Sequence, residues 1–111
     1  MKLNTKRIYA TIDWLWRLSV KVGKDCCEVC GGKDVLECHH IVTRRNLWLR
    51  WETKNGLVVC RKCHERPDLV LNWLEDNQPK RYAWLMAKKN ELHPGQRIDL
   101  NEIRLNLELR I

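Results

Sequence analysis

The chain has 111 residues, of which 44% are hydrophobic and 32% charged, and its formal net charge is +7. That leaves room for one small domain with a thin core. It excludes a transmembrane helix, since no stretch approaches the roughly 20 apolar residues a span requires. Met1 to Lys6 also lacks the apolar run of a signal peptide, so a cytoplasmic location is the expectation. In a reducing compartment, six cysteines point to metal rather than to disulfides.

Taken in chain order, residues 5 to 22 predict a helix. Ile8, Ile12, Leu15, Leu18 or Ser19, and Val22 recur at three-and-four spacing, with Asn4 or Thr5 to cap the start and Gly23 to end it. Trp14 and Trp16 fall on different sides, so at least one should cover another element. Lys6, Arg7, Arg17 and Lys21 are left for solvent or phosphate. Residues 24 to 34 are a tight loop whose glycines permit the positive φ of a turn around a metal. Val35 to Val42 reads as a strand that carries His39 and His40 toward its end. Thr43 to Lys54 is a polar, basic loop, Gly56 to Cys60 a short second strand, and a helix should start near Arg61. Pro67 breaks that helix or opens a new one, whose stripe is Leu69, Val70, Trp73 and Leu74. Pro79 starts a further helix. His93-Pro94-Gly95 is a linker, with His93 a surface residue. Asp99 and Glu102 form a capping-box-like start to a last helix through Leu100, Ile103, Leu107 and Ile111.

The charge is unevenly distributed. Residues 1–24 balance at +5, 25–42 at −3, 43–66 at +5, and 67–111 at zero. The excess therefore sits on the first helix and around the histidine-bearing segment. A solvated surface would account for the number of charges, but their concentration favours a polyanion, most simply nucleic acid.

Two Cys-x-x-Cys pairs, Cys27/Cys30 and Cys60/Cys63, frame this segment. Each pair can bring two sulfurs about 3.5–4 Å apart, as tetrahedral zinc requires, and together they close a four-thiolate structural site. A redox dithiol would be a single pair in another context. Cys26 competes with Cys27 for the site, and the two-residue gap favours Cys27. Cys38 reads as a small buried hydrophobe.

With Cys27-x-x-Cys30-Gly31, His39-His40-Ile41, Asn55-Gly56 and Cys60-x-x-Cys63-His64 in hand, the chain resembles the HNH endonucleases of ββα-metal (His-Me finger) type. It is most similar to small phage and prophage members, which often carry an Arg-Trp such as Arg50-Trp51 before the asparagine. The match runs from Cys27 to His64, with a weaker similarity through Pro67, Trp73, Pro79 and Leu85. The resemblance implies an α+β fold, a zinc-stapled ββα core (residues 25–66) between an N-terminal helix (1–24) and a helical extension (67–111), in one domain. It implies a DNA phosphodiesterase leaving 5′-phosphate and 3′-hydroxyl ends. His40 would be the general base. Asn55 would hold the loop that orients it. His39 and His64 would ligate a catalytic divalent cation (Mg2+, Mn2+, Ni2+ or Zn2+).

Many family members have a further histidine one helical turn after His64. Here Asp68 occupies the fourth position on, and it reaches that place only if the helix continues past Pro67. Arg44, Arg45 and Arg50 are the candidate DNA phosphate contacts, while Trp51 reads as core. Two other readings stand beside this one. The chain could be a zinc-stapled DNA-binding or assembly module that no longer cuts, for instance a phage packaging accessory. It could also bind a protein partner through the helices after Pro67. The oligomeric state is open.

Overall fold

In a computed structural model, which describes residues 5–111, the chain is a small α+β protein. The elements are α1 (Thr5–Lys21), β1 (Leu36–His40), α2 (Leu47–Arg50), a 3-10 turn (Thr53–Asn55), β2 (Gly56–Cys60), α3 (Arg61–His64), α4 (Pro67–Asn77), α5 (Pro79–Lys89) and α6 (Leu100–Glu108). The expected order of strand, loop, strand, helix is present. The candidate cap Asn4 lies outside the described residues.

The strands pair antiparallel, with Leu36 opposite Cys60 and His40 opposite Gly56. Two five-residue strands cannot bury enough surface to stand alone, so both faces of the ribbon are covered. Because successive side chains alternate between faces, Leu57 and Val59 enter one cluster with Val70, Leu74 and Leu85 of α4 and α5. Val58, between them, enters the other with Ile12, Leu15, Trp16 and Val20 of α1 and Leu107 of α6. The stripe expected on α1 is thus rotated. Val22 is exposed, and Trp16 fills the place nearest the sheet.

The remaining edge of β2 is closed by the thiol loop. Glu28 donates its backbone N–H to Val58 C=O at 2.8 Å, and its carboxylate accepts from Val58 N–H at 2.8 Å. An otherwise open ladder edge is thereby satisfied. Pro67 and Pro79 each stand in the first turn of a helix, where a missing N–H costs nothing. Asp99 caps α6 by accepting from Glu102 N–H at 3.0 Å.

Residues 43–55 depart from the expected plain loop. They contain α2 and the 3-10 turn because apolar side chains alternate with the basic ones. Leu49 is buried in the α4–α5 cluster and Trp51 in the α1 cluster, and a helical turn sends them to those two places while Arg44 and Arg45 stay outside.

Gly56 is needed here for space. A Cβ on it would lie 2.6 Å from Val20 Cγ2 and 2.7 Å from Trp16 Cζ2. Gly56→Ala should therefore push α1 off the ribbon and cost about 1–3 kcal/mol. This would be read as a lower midpoint of chemical denaturation at unchanged m-value.

Candidate functional site

The four thiols converge. The Sγ atoms of Cys27, Cys30, Cys60 and Cys63 all lie within 4.8 Å of one another, with Cys30 and Cys60 at 3.6 Å. Sulfurs about 3.75 Å apart are what a tetrahedral ion with bonds of about 2.3 Å demands. The cluster can therefore hold a metal ion such as zinc. Among the described residues it is the one group of three or more metal-type side chains gathered this closely. The chain prepares it locally. Gly31 takes φ +78°, which turns the backbone so that Cys30 N–H points at Cys27 Sγ (3.4 Å) and Gly32 N–H at Cys30 Sγ (3.4 Å). Burial by itself would raise the Cys27 thiol, but backbone donors from Cys30, Cys60 and Val29 outweigh it and bring the group down to about 6. Cys26 and Cys38 are half-buried and stand outside the cluster.

Asn55 is completely buried, at 0% exposure. Its Oδ1 accepts from Val42 N–H at 2.7 Å, and its Nδ2 donates to Val42 C=O at 2.9 Å and Leu49 C=O at 3.0 Å. One amide thus ties the end of β1 to α2. Arg81 of α5 secures the turn from behind, donating to Lys54 C=O (2.8 Å) and Gly56 C=O (2.7 Å), the carbonyls on either side of Asn55.

His40 sits where this tied loop ends. Its Nε2 lies 2.9 Å from Arg50 C=O, at the C-terminus of α2, where carbonyls lack helical partners. A carbonyl only accepts, so the proton is on Nε2, and Nδ1 of the neutral ring carries the free lone pair. The ring is stacked on the Trp16 indole, with centroids 3.9 Å apart and planes 6° from parallel. Burial lowers its pKa, against the opposing pull of the Arg50 carbonyl and Asp13.

His39 points to the other face of the ribbon. It is 8% exposed and meets His64 of α3 edge-on, with centroids 5.1 Å apart. Burial first, then the neighbouring His64 and His40, hold its pKa at about 4, so it is neutral near pH 7. His64 donates from Nδ1 to Glu37 Oε1 at 3.0 Å. This leaves Nε2 as the ring's free ligand atom, an arrangement familiar from metal-binding histidines. The hydrogen bond from His64 in turn lowers the Glu37 pKa.

Asp68 does not join His39 and His64 in a three-ligand group. The helix carrying His64 ends there, Arg66 leaves helical geometry at φ −126°, ψ 73°, and Pro67 opens α4. The continuous helix that would set Asp68 one turn from His64 is absent. Arg50 is likewise not free for phosphate. Its Nε and Nη2 donate to the two carboxylate oxygens of Asp13 at 3.0 and 2.7 Å, and Trp51 Nε1 adds a third donor at 2.7 Å. Arg44 and Arg45 are exposed and make no ion pair among the described residues. His93 stacks on Trp48, with centroids 3.9 Å apart.

Four contributors were not singled out from the sequence: Asp13, Trp16 as the platform under His40, Glu37 and Arg81. Asp13 alone left a signal, as an acid set among Ile12, Leu15 and Trp16 on the apolar side of α1. Comparison with protein-family models, with curated proteins and with solved structures finds no match.

The Asp13–Arg50 pair is largely buried on both sides, so removing one member strands the other. Asp13→Ala should cost about 3 kcal/mol, and the Asp13→Ala/Arg50→Met double variant should cost less than the sum of the two singles. Equilibrium denaturation of the four proteins in the cycle checks this.

Proposed function

We propose that this protein is a metal-dependent DNA endonuclease of the HNH type, with His40 as the general base. The observation that carries the reading is the coupling of Asn55 to His40. A wholly buried asparagine bridges Val42 and Leu49, and the next carbonyl along, that of Arg50, holds the His40 ring with Nδ1 deprotonated. A structural histidine at a strand end does not need so much support to fix its tautomer.

The chemistry runs as follows. Nδ1 of His40 takes a proton from a water molecule. The water oxygen attacks phosphorus and the P–O3′ bond breaks. The 3′ oxygen takes a proton from solvent, leaving 5′-phosphate and 3′-hydroxyl ends. The lowered pKa of His40 keeps the ring in its basic, neutral form at cellular pH. Stacking on Trp16 fixes the ring plane. His39 and His64 would hold the divalent cation, with Glu37 orienting His64, and the cation would neutralise charge developing on the phosphate and the leaving oxygen. Two imidazole donors suit Ni2+ or Zn2+ better than Mg2+. Arg44 and Arg45 would clamp flanking phosphates. The thiol cluster would carry structural zinc, which closes the loop of residues 24–34 onto β2.

One observation favours a second reading, a zinc-stapled DNA-binding module that does not cut. The break after His64 leaves two protein ligands for the cation where three would bind it more firmly.

A plasmid assay separates the two. With Ni2+, Mn2+ or Mg2+, wild-type protein should nick supercoiled DNA, and His40→Ala should slow nicking by at least about 100-fold. Equal rates for the two proteins, or tight binding without nicking in all three cations, would reject the nuclease. Elemental analysis of purified protein should find about one zinc per chain. Cys63→Ser should lose both the metal and the far-UV circular dichroism of the fold, because in so small a domain binding free energy is folding free energy.

A further inference from the structure

The outer face of α1 takes no part in the site described above. Its inner face is spent on the core through Ile12, Leu15, Trp16 and Val20. Opposite, at three-and-four spacing, stand Lys6, Arg7, Trp14, Arg17 and Lys21, all exposed. None of the four cations forms an ion pair among the described residues, and Asp13, the one acid of α1, is turned inward and neutralised by Arg50. From Arg7 to Lys21 the face runs about 21 Å along the helix at 1.5 Å per residue. In its middle Trp14 is 54% exposed and belongs to neither core cluster. The indole therefore stands in water among four cations that have no ion-pair partner among the described residues. The positive surface also continues toward the basic loop, because Lys6 and Arg44 line one cleft with Tyr9, Asp13 and Arg50.

We propose that the outer face of α1 binds an unpaired DNA strand, with Lys6, Arg7, Arg17 and Lys21 on successive phosphates and Trp14 stacked on a base. Charge complementarity selects a polyanion, and the indole selects among polyanions. A duplex hides the faces of its bases in the stack, whereas a single strand offers them, and an aromatic side chain among backbone-tracking cations is the usual solution for holding one. An anionic membrane would need an apolar face to insert, and the apolar face of α1 is already buried against the ribbon. His40 stacks on Trp16, on the inner side of the same helix, so the bound strand lies roughly one helix diameter, about 10–12 Å, from the ring. Taken with the nuclease reading, on which this last step rests, the substrate class is duplex DNA next to an unpaired segment, such as a flap, a gap or a branch.

The test is fluorescence anisotropy of a labelled thymidine 15-mer and of a duplex of equal length, without added divalent cation so that no cleavage enters. Trp14→Ala should weaken binding of the single strand by about 5- to 100-fold and leave the duplex nearly unchanged, and Trp14→Phe should recover most of the loss. The Arg17→Gln/Lys21→Gln variant should reduce the slope of log affinity against log salt for the single strand by about 1.4, two phosphates at roughly 0.7 each. Trp14 belongs to neither core cluster, so an unchanged circular dichroism spectrum is expected for its variants. Unchanged single-strand affinity in Trp14→Ala, or an equal loss for single strand and duplex, overturns the proposal. So does tighter binding to vesicles of anionic phospholipid than to the 15-mer. Failure of plasmid nicking with these binding results intact would remove the nuclease reading and leave this surface standing.

Discussion

The side-chain amide of Asn55 closes the segment on which the candidate site of this protein depends. Its three hydrogen bonds draw the end of β1 and the end of α2 against the start of β2. Burying an amide costs several kcal/mol unless its donors and acceptors are met, and here they are met. No buried side-chain nitrogen or oxygen among the described residues lacks a partner. Arg81 repeats the device from α5 by holding the carbonyls before and after Asn55. The turn is thereby fixed from two directions. The Arg50 carbonyl, and with it the His40 ring, inherits that rigidity.

The ribbon works as a partition. Strand alternation sends His39 toward α3 and His40 toward α1, so two adjacent residues acquire different surroundings. His39 meets His64 edge-on, and its burial lowers its pKa to about 4. His40 meets an indole, a carbonyl and, further off, the Asp13–Arg50 pair. The thiols sit at the opposite end of the ribbon from His40, where Cys60 pairs with Leu36. The thiol cluster, which can hold a metal ion, and the residues proposed for catalysis therefore share two strands without sharing ligands.

Local patterns in the chain were readable where one residue type has few alternatives. Two Cys-x-x-Cys pairs have little to do together except bind metal, and the structure gathers all four thiols. Pro67 had either to break the helix of His64 or to open a new one, Pro79 was expected to open a helix, and both stand in the first turn of one. Asp99 capped as its spacing with Glu102 suggested. Arg50 differs from the expectation for a reason of the same kind. An arginine in a basic loop is usually solvated, and nothing near it in sequence reveals an acid 37 positions earlier that takes both arms of its fork. The helical turn at Leu47–Arg50 was hidden because four residues are too few to show a period.

The sequence by itself determined the order of the strands and main helices, and with it the α+β class, together with the metal-type thiol set, because these follow from local stereochemistry and from fixed ligand spacing. Only the tertiary structure decided which face of α1 meets the ribbon, that Trp16 rather than Trp14 lies inside, that Arg50 answers Asp13 instead of solvent, and that the chain bends after His64 and carries Asp68 away from helical register. Those outcomes depend on pairs far apart in the chain, whose meeting is set by how helices cover a two-faced ribbon.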